Sequence, residues 1–197
     1  MLGKEFNRRL EGLYIYRKPV IMAVAMLSTA ILLSFVMPPL KKNSVTAQTD
    51  KKPLRWYTLD EAMDYARRDN KKVMIFVVTD WCGYCRMMQK KAFTHPEVVE
   101  YMNEKVCPVK LNAWTKEDIW FQGYKFKFMP ELHIHQLAYQ LLEGRMEYPT
   151  AVFMTYRGEI LGPVRGYMEH KPLLKVLRYY GDDIYLNQTW DEYKRTR

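Results

Sequence analysis

Apolar positions are spread unevenly along this chain, and their spacing changes character several times. From Pro19 to Leu40 no charged residue occurs, and Val20–Met37 is apolar apart from Ser28, Thr29 and Ser34. At 1.5 Å per residue that run reaches about 27 Å, the thickness of a bilayer's hydrocarbon core. Pro38-Pro39 then stops the helix. The pattern predicts a basic segment over 1–18, a transmembrane anchor over 19–40 that contacts the membrane through residues 20–37, and a polar tether over 41–54. A cleaved signal peptide is the rival reading, with Arg8, Arg9, Arg17 and Lys18 as its basic region. Against it, the run is long for a signal, and the nearest small-residue site, Val45-Thr46-Ala47, follows about ten residues later.

Beyond the tether the periodicities become those of a folded domain, placed over 55–181. Thr58-Leu59-Asp60-Glu61 has the capping-box form and opens a helix to about Arg68. Lys72–Val78 is a buried strand, and Val106–Leu111 is a second. Helices are expected over Arg86–Ala92 and from His95-Pro96-Glu97 through Asn103. Residues 113–131 look irregular, rich in aromatics from Trp114 to Phe128. Ile134, Leu137, Ala138, Leu141 and Leu142 form a helical stripe closed by Gly144. Ala151–Thr155 and Glu159–Leu161 read as strands around the turn at Gly158, and Lys171–Tyr180 as a last helix. Residues 182–197 are left as a C-terminal tail. Alternating strands and helices predict an α/β layer fold.

Charge sharpens this division. The net charge is +9, but residues 1–52 contribute +6 and the other 145 only +3. The basic excess flanks the apolar run rather than covering the folded body, so membrane proximity explains it and nucleic acid is not an expected partner. Lys and Arg are balanced on the two flanks and do not fix the orientation. Three cysteines are too few for a disulfide-stapled scaffold.

Two of the three form Trp81-Cys82-Gly83-Tyr84-Cys85, placed after a strand and opening a helix. Thiol–disulfide exchange needs this arrangement. The first sulfur sits where unpaired N–H groups and the helix dipole favour a thiolate, and two intervening residues bring the second sulfur within bonding reach. A bare C-x-x-C also serves as half of a zinc site, and His133 and His135 are the histidines that could complete one. Cys107, inside a strand, reads as a small buried hydrophobe. The aromatic stretch either faces a partner or folds back on its own domain. No organic cofactor or metal is called for, and neither a dinucleotide fingerprint nor a P-loop occurs.

With these motifs in place, the chain resembles the thioredoxin superfamily. Tyr148-Pro149-Thr150 heads a strand, a turn and another strand, and looks like that family's cis-proline loop; Gly166 before the last helix also fits. Thr79-Asp80-Trp81-Cys82 together with Lys91-Ala92-Phe93-Thr94-His95-Pro96-Glu97-Val98 is similar to the membrane-linked thioredoxin-like domains of bacterial thiol–disulfide interchange proteins. The resemblance implies a central mixed sheet with flanking helices, Cys82 and Cys85 as catalytic cysteines, and Trp81, Tyr84, Tyr148, Pro149 and Thr150 as substrate contacts. It further implies protein disulfides as substrates, a redox partner supplying electrons, and an inner-membrane protein with its domain in the periplasm. Three departures stand out, the first being Tyr84, which stands where thioredoxin itself has proline. The family's buried acidic residue falls on Phe76, and residues 113–131 look like an insertion. A rival class is a non-catalytic thioredoxin-fold subunit that holds an envelope complex together.

Overall fold

The computed structural model describes residues 52–195. The basic segment, the anchor or signal segment and most of the tether lie outside that range. Among the described residues, no helix is long and apolar enough to cross a membrane.

The sheet is organised around β1 (Lys72–Val78), whose seven residues are all buried. β2 (Val106–Asn112) lies parallel to it on one side, and β7 (Thr150–Met154) antiparallel on the other. β8 (Ile160–Arg165) closes the far edge, giving the order β2-β1-β7-β8. Successive β1 side chains serve opposite faces. Val73, Ile75 and Val77 join a core with α1 (Leu59–Asp69) and α4 (Gln136–Leu141). Met74, Phe76 and Val78 join a second core with α2 (Gly83–Lys91), α3 (Pro96–Lys105) and α5 (His170–Gly181). A strand covered on both faces has no polar position to spare, which is why β1 is a continuous apolar run.

The helix starts follow their caps. Thr58 and Glu61 form the expected capping box, Glu61 N–H donating to Thr58 Oγ1 and Thr58 N–H to Glu61 Oε2. Asn70 takes a left-handed conformation to end α1.

Residues 113–131 are more ordered than their sequence suggests. β3 (Ile119–Phe121) and β4 (Tyr124–Phe126) form a hairpin, and β5 (Phe128–Met129) pairs with β6 (Ile134–His135). The hairpin turn, Gln122-Gly123, has φ of 52° and 80°. Positive φ at both central positions is the geometry that matches strand twist, but Gln is a weak marker for it compared with Asn or Asp. Gln122 Nε2 donates to the Gly158 carbonyl at 2.8 Å, tying the hairpin tip to the β7–β8 turn. The stripe from Ile134 to Leu142 is buried throughout, but its first residue belongs to β6 and the helix begins at Gln136. His135 sets that start, its Nδ1 accepting from Leu137 N–H.

β8 runs on past the expected Leu161 to Arg165, with Gly162 and Pro163 inside it. An edge strand tolerates proline because one side of its ladder is unpaired. Past α5 the chain stays folded through a 3-10 turn (Ile184–Leu186) and α6 (Trp190–Arg195). Tyr179 packs against Trp190 and Tyr193 at 5.2 and 5.5 Å and donates its hydroxyl to the Gln188 carbonyl. Lys72, 5% exposed, meets the Asp183 carboxylate at 2.8 Å.

Candidate active site

Cys82 stands where β1 has ended and α2 begins. Its N–H donates to the Thr79 carbonyl at 3.2 Å, and it is the N-cap of α2. Its Sγ accepts the Cys85 N–H at 3.1 Å and is bonded to Cys85 Sγ. One helix end thus presents both a backbone donor and the dipole to a single sulfur, and α2 carries no acidic residue in its first turn to oppose a negative charge there. Cys82 is 4% exposed and Cys85 1%, so the pair lies just under the surface with Cys85 the deeper of the two. Trp81 and Tyr84 stand above it, 57% and 61% exposed.

Below the pair the structure is apolar. Phe76 packs on Phe93 at 4.9 Å and on Trp56 at 6.2 Å, with Met88 and Met74 in the same core. The side wall is built from distant segments. The Tyr148–Pro149 bond is cis, and the buried Pro149 accepts the Gly166 N–H at 2.8 Å through its carbonyl. Tyr148 is half-buried, and burial pushes its phenol pKa up; its ring lies 5.9 Å from that of Trp81. Tyr84 faces Tyr167 at 6.0 Å. Thr150 is fully buried, its hydroxyl donating to the Glu147 carbonyl, so its side chain does not reach the surface beside Trp81.

Of the sequence-derived set, the structure brings Trp81, Cys82, Tyr84, Cys85 and Tyr148 into one neighbourhood. Sequence reasoning missed the loop after β2. Asn112 Nδ2 donates to both Asp80 carboxylate oxygens at 3.0 Å, and its Oδ1 accepts the Trp114 N–H at 3.0 Å. Trp114 thereby stands 5.7 Å from Trp81, edge to face. Nothing local marks Asn112, whose partner lies 32 positions away.

Against known proteins, the profile of a family described as "Thioredoxin-like domain" matches residues 59–181, more than half of the chain. The chain belongs to this thioredoxin-like family. Its solved neighbours include the DsbH oxidoreductase, with 17% identity, a TM-score of 0.49 and coverage of 66% of this chain and 86% of that one. A thioredoxin from Thermus thermophilus shares 23% identity at a TM-score of 0.48, covering 64% and 86%. The oxidised DsbD C-terminal domain of Neisseria meningitidis shares 20% at 0.43, covering 64% and 99%. Among curated proteins, human spermatogenesis-associated protein 20 is 29% identical over 80 residues, 40% of this chain. The chain spans about a tenth of that relative's length.

Within this thioredoxin-like domain the remaining candidates fall away from the pair. Cys107 lies on the opposite face of the sheet, in the α1–α4 core, and burial pushes its thiol pKa up. A reactive thiol needs the reverse shift. His135 is buried under the insertion, and desolvation lowers its pKa. His133 sits at φ 50° in the turn before it. Among the described residues, no three His, Cys, Asp or Glu side chains converge on a metal-sized site.

Proposed function

We propose that this protein is a thiol–disulfide oxidoreductase acting on protein disulfides as a reductase or isomerase. The observation that carries the reading is Cys82 at the N-cap of α2, its sulfur receiving the Cys85 N–H while Cys85 lies deeper. In the reduced state the Cys82 thiolate attacks a substrate disulfide, forming a mixed disulfide and releasing one substrate thiolate. Cys85 then attacks the Cys82 sulfur, the internal disulfide closes, and the second substrate thiolate leaves. Two electrons have passed to the substrate, and a partner dithiol returns them. Tyr148, whose ring meets that of Trp81, and Pro149 after it are the substrate contacts of this reading, with Thr150 contributing through its backbone in β7. The apolar run over residues 20–37 supports tethering to an inner membrane; the periplasmic side for the domain rests on its resemblance to membrane-linked thioredoxin-like domains.

Insulin reduction by the full-length protein, with Cys82→Ser as control, tests the reading. Turnover lost in the variant supports it, and an inert wild-type protein overturns it. A second reading, a non-catalytic envelope subunit, draws on Trp120 and Tyr124. Both are exposed on the β3–β4 hairpin, and Trp120 borders a cleft of about 610 Å³ between α1 and β2.

A further inference from the structure

The rings around Cys82 come from four separated stretches, and the least expected of them is Trp114. It is 43% exposed, so its contact with Trp81 leaves much of the indole open to solvent. It is also held in place. Its backbone N–H donates to Asn112 Oδ1, and Asn112 Nδ2 donates in turn to the carboxylate of Asp80, two residues before Cys82. The Ala113 N–H donates to the Val78 carbonyl at 2.8 Å, fixing the root of the same loop to the end of β1. On its other side Trp81 meets Tyr148, so Trp114, Trp81 and Tyr148 form a continuous three-ring wall. Tyr84, the residue before Cys85, pairs with Tyr167.

None of these five side chains is a carboxylate, an amine or a guanidinium. The adjacent carboxylate, Asp80, is engaged by Asn112, and Arg86 is turned onto the Asp80 carbonyl at 2.6 Å. A substrate segment crossing this wall meets ring faces and edges, with the exposed Asp80 carboxylate and Arg86 guanidinium held to their own loops beside it.

We propose that Trp114 is a specificity-determining residue, selecting polypeptide disulfides whose cysteine is flanked by aromatic or large aliphatic side chains. The selection acts on binding of the flanking residue. Electron transfer stays with the two cysteines, which give two electrons to the substrate disulfide as they close their own. The inference rests on the exchange reading above.

The test uses full-length protein, two peptides of equal length, and dithiothreitol in the assay as the dithiol that returns two electrons after each turnover, its direct reduction of the peptides being subtracted. Each peptide contains one internal disulfide; one has Phe beside its cysteines and the other Asp. The wild-type protein should favour the Phe peptide in kcat/KM. Trp114→Ala should lower that preference about tenfold, the size of one aromatic contact, with the change in KM rather than kcat. Trp114→Phe should restore most of it. Trp114→Lys, which puts a cation beside Trp81, should reverse the preference towards the Asp peptide. Leu186→Ala, exposed on the C-terminal segment, should keep the wild-type preference. The reduction potential of the pair should be the same in all variants. A preference unchanged in Trp114→Ala and Trp114→Lys overturns the proposal, as does an equal loss on both peptides that Trp114→Phe fails to restore. A wild-type protein inert towards both peptides and insulin overturns the exchange reading and this proposal together.

Discussion

Two loops leave the sheet side by side, at the ends of the parallel strands β1 and β2, where Val78 is in register with Asn112. The first is a tight turn that delivers Cys82 onto a helix start within four residues of the strand. The second is an excursion that places Trp114 and then builds a hairpin and a further strand pair before α4. In the proposed exchange the first loop carries the reacting atoms, and the contacts around its cysteines are local: Cys82 N–H to Thr79, Cys85 N–H to Cys82 Sγ. The second carries no reacting atom, and its placement depends on contacts across the fold. In this domain chemistry is encoded in short range, while the surface that meets a substrate is assembled at long range. The two can therefore be perturbed separately.

The largest effect belongs to the first loop. Cys82→Ser should bring exchange to background, and brief alkylation of the reduced protein should label Cys82 ahead of Cys85 and Cys107, read by mass spectrometry. Equal labelling of all three would erase the distinction drawn for this helix start. Next comes the floor beneath it. Phe76→Ala removes a fully buried ring from the Phe93–Trp56 cluster and should cost about 3–5 kcal/mol in urea unfolding, without abolishing exchange. Loss of exchange at retained stability would mean that the floor takes part in the chemistry. Cutting the link between the loops is milder. Asn112→Ala should cost about 1 kcal/mol and release Trp114, visible as a shift in tryptophan fluorescence.

The smallest effect is one of pH, and it belongs to the second loop. His135 has its pKa lowered by burial, so the folded state refuses a proton that the unfolded chain takes up near pH 6.5. Between that value and the depressed folded value, acidification draws the protein towards unfolding. The stability contribution is complete above the unfolded value and lost as pH falls through this window. Tm measured from pH 7.5 to 5 should fall more steeply in the wild type than in His135→Gln. Parallel curves would remove His135 from the account.

These asymmetries also explain what could be read from the chain. Lys72–Val78 announced itself because the six residues after Lys72, buried on both faces, include no polar one to blur the run. The Thr58–Glu61 box and the cysteine spacing are likewise local codes. The hairpin at Ile119–Phe126 escaped notice because Gln122 stands where Asn would have marked the turn. Gly162 and Pro163 disguised most of β8. Trp114 was visible as one aromatic among several, but its role beside Trp81 depends on Asn112 reaching Asp80, which no spacing foretells.

The ion pair at the opposite end of β1 bears on how the protein may be divided. The family match ends at residue 181, yet the carboxylate that Lys72 meets is supplied by Asp183. Trimming the polypeptide at the family boundary would leave a lysine at the root of the central strand facing its burial without that anion, and would strip Trp190 and Tyr193 from Tyr179. The autonomous unit therefore reaches to about residue 195. A recombinant fragment, fusion junction or protease site should be placed beyond α6, since a cut before it would undermine the strand that holds the redox pair.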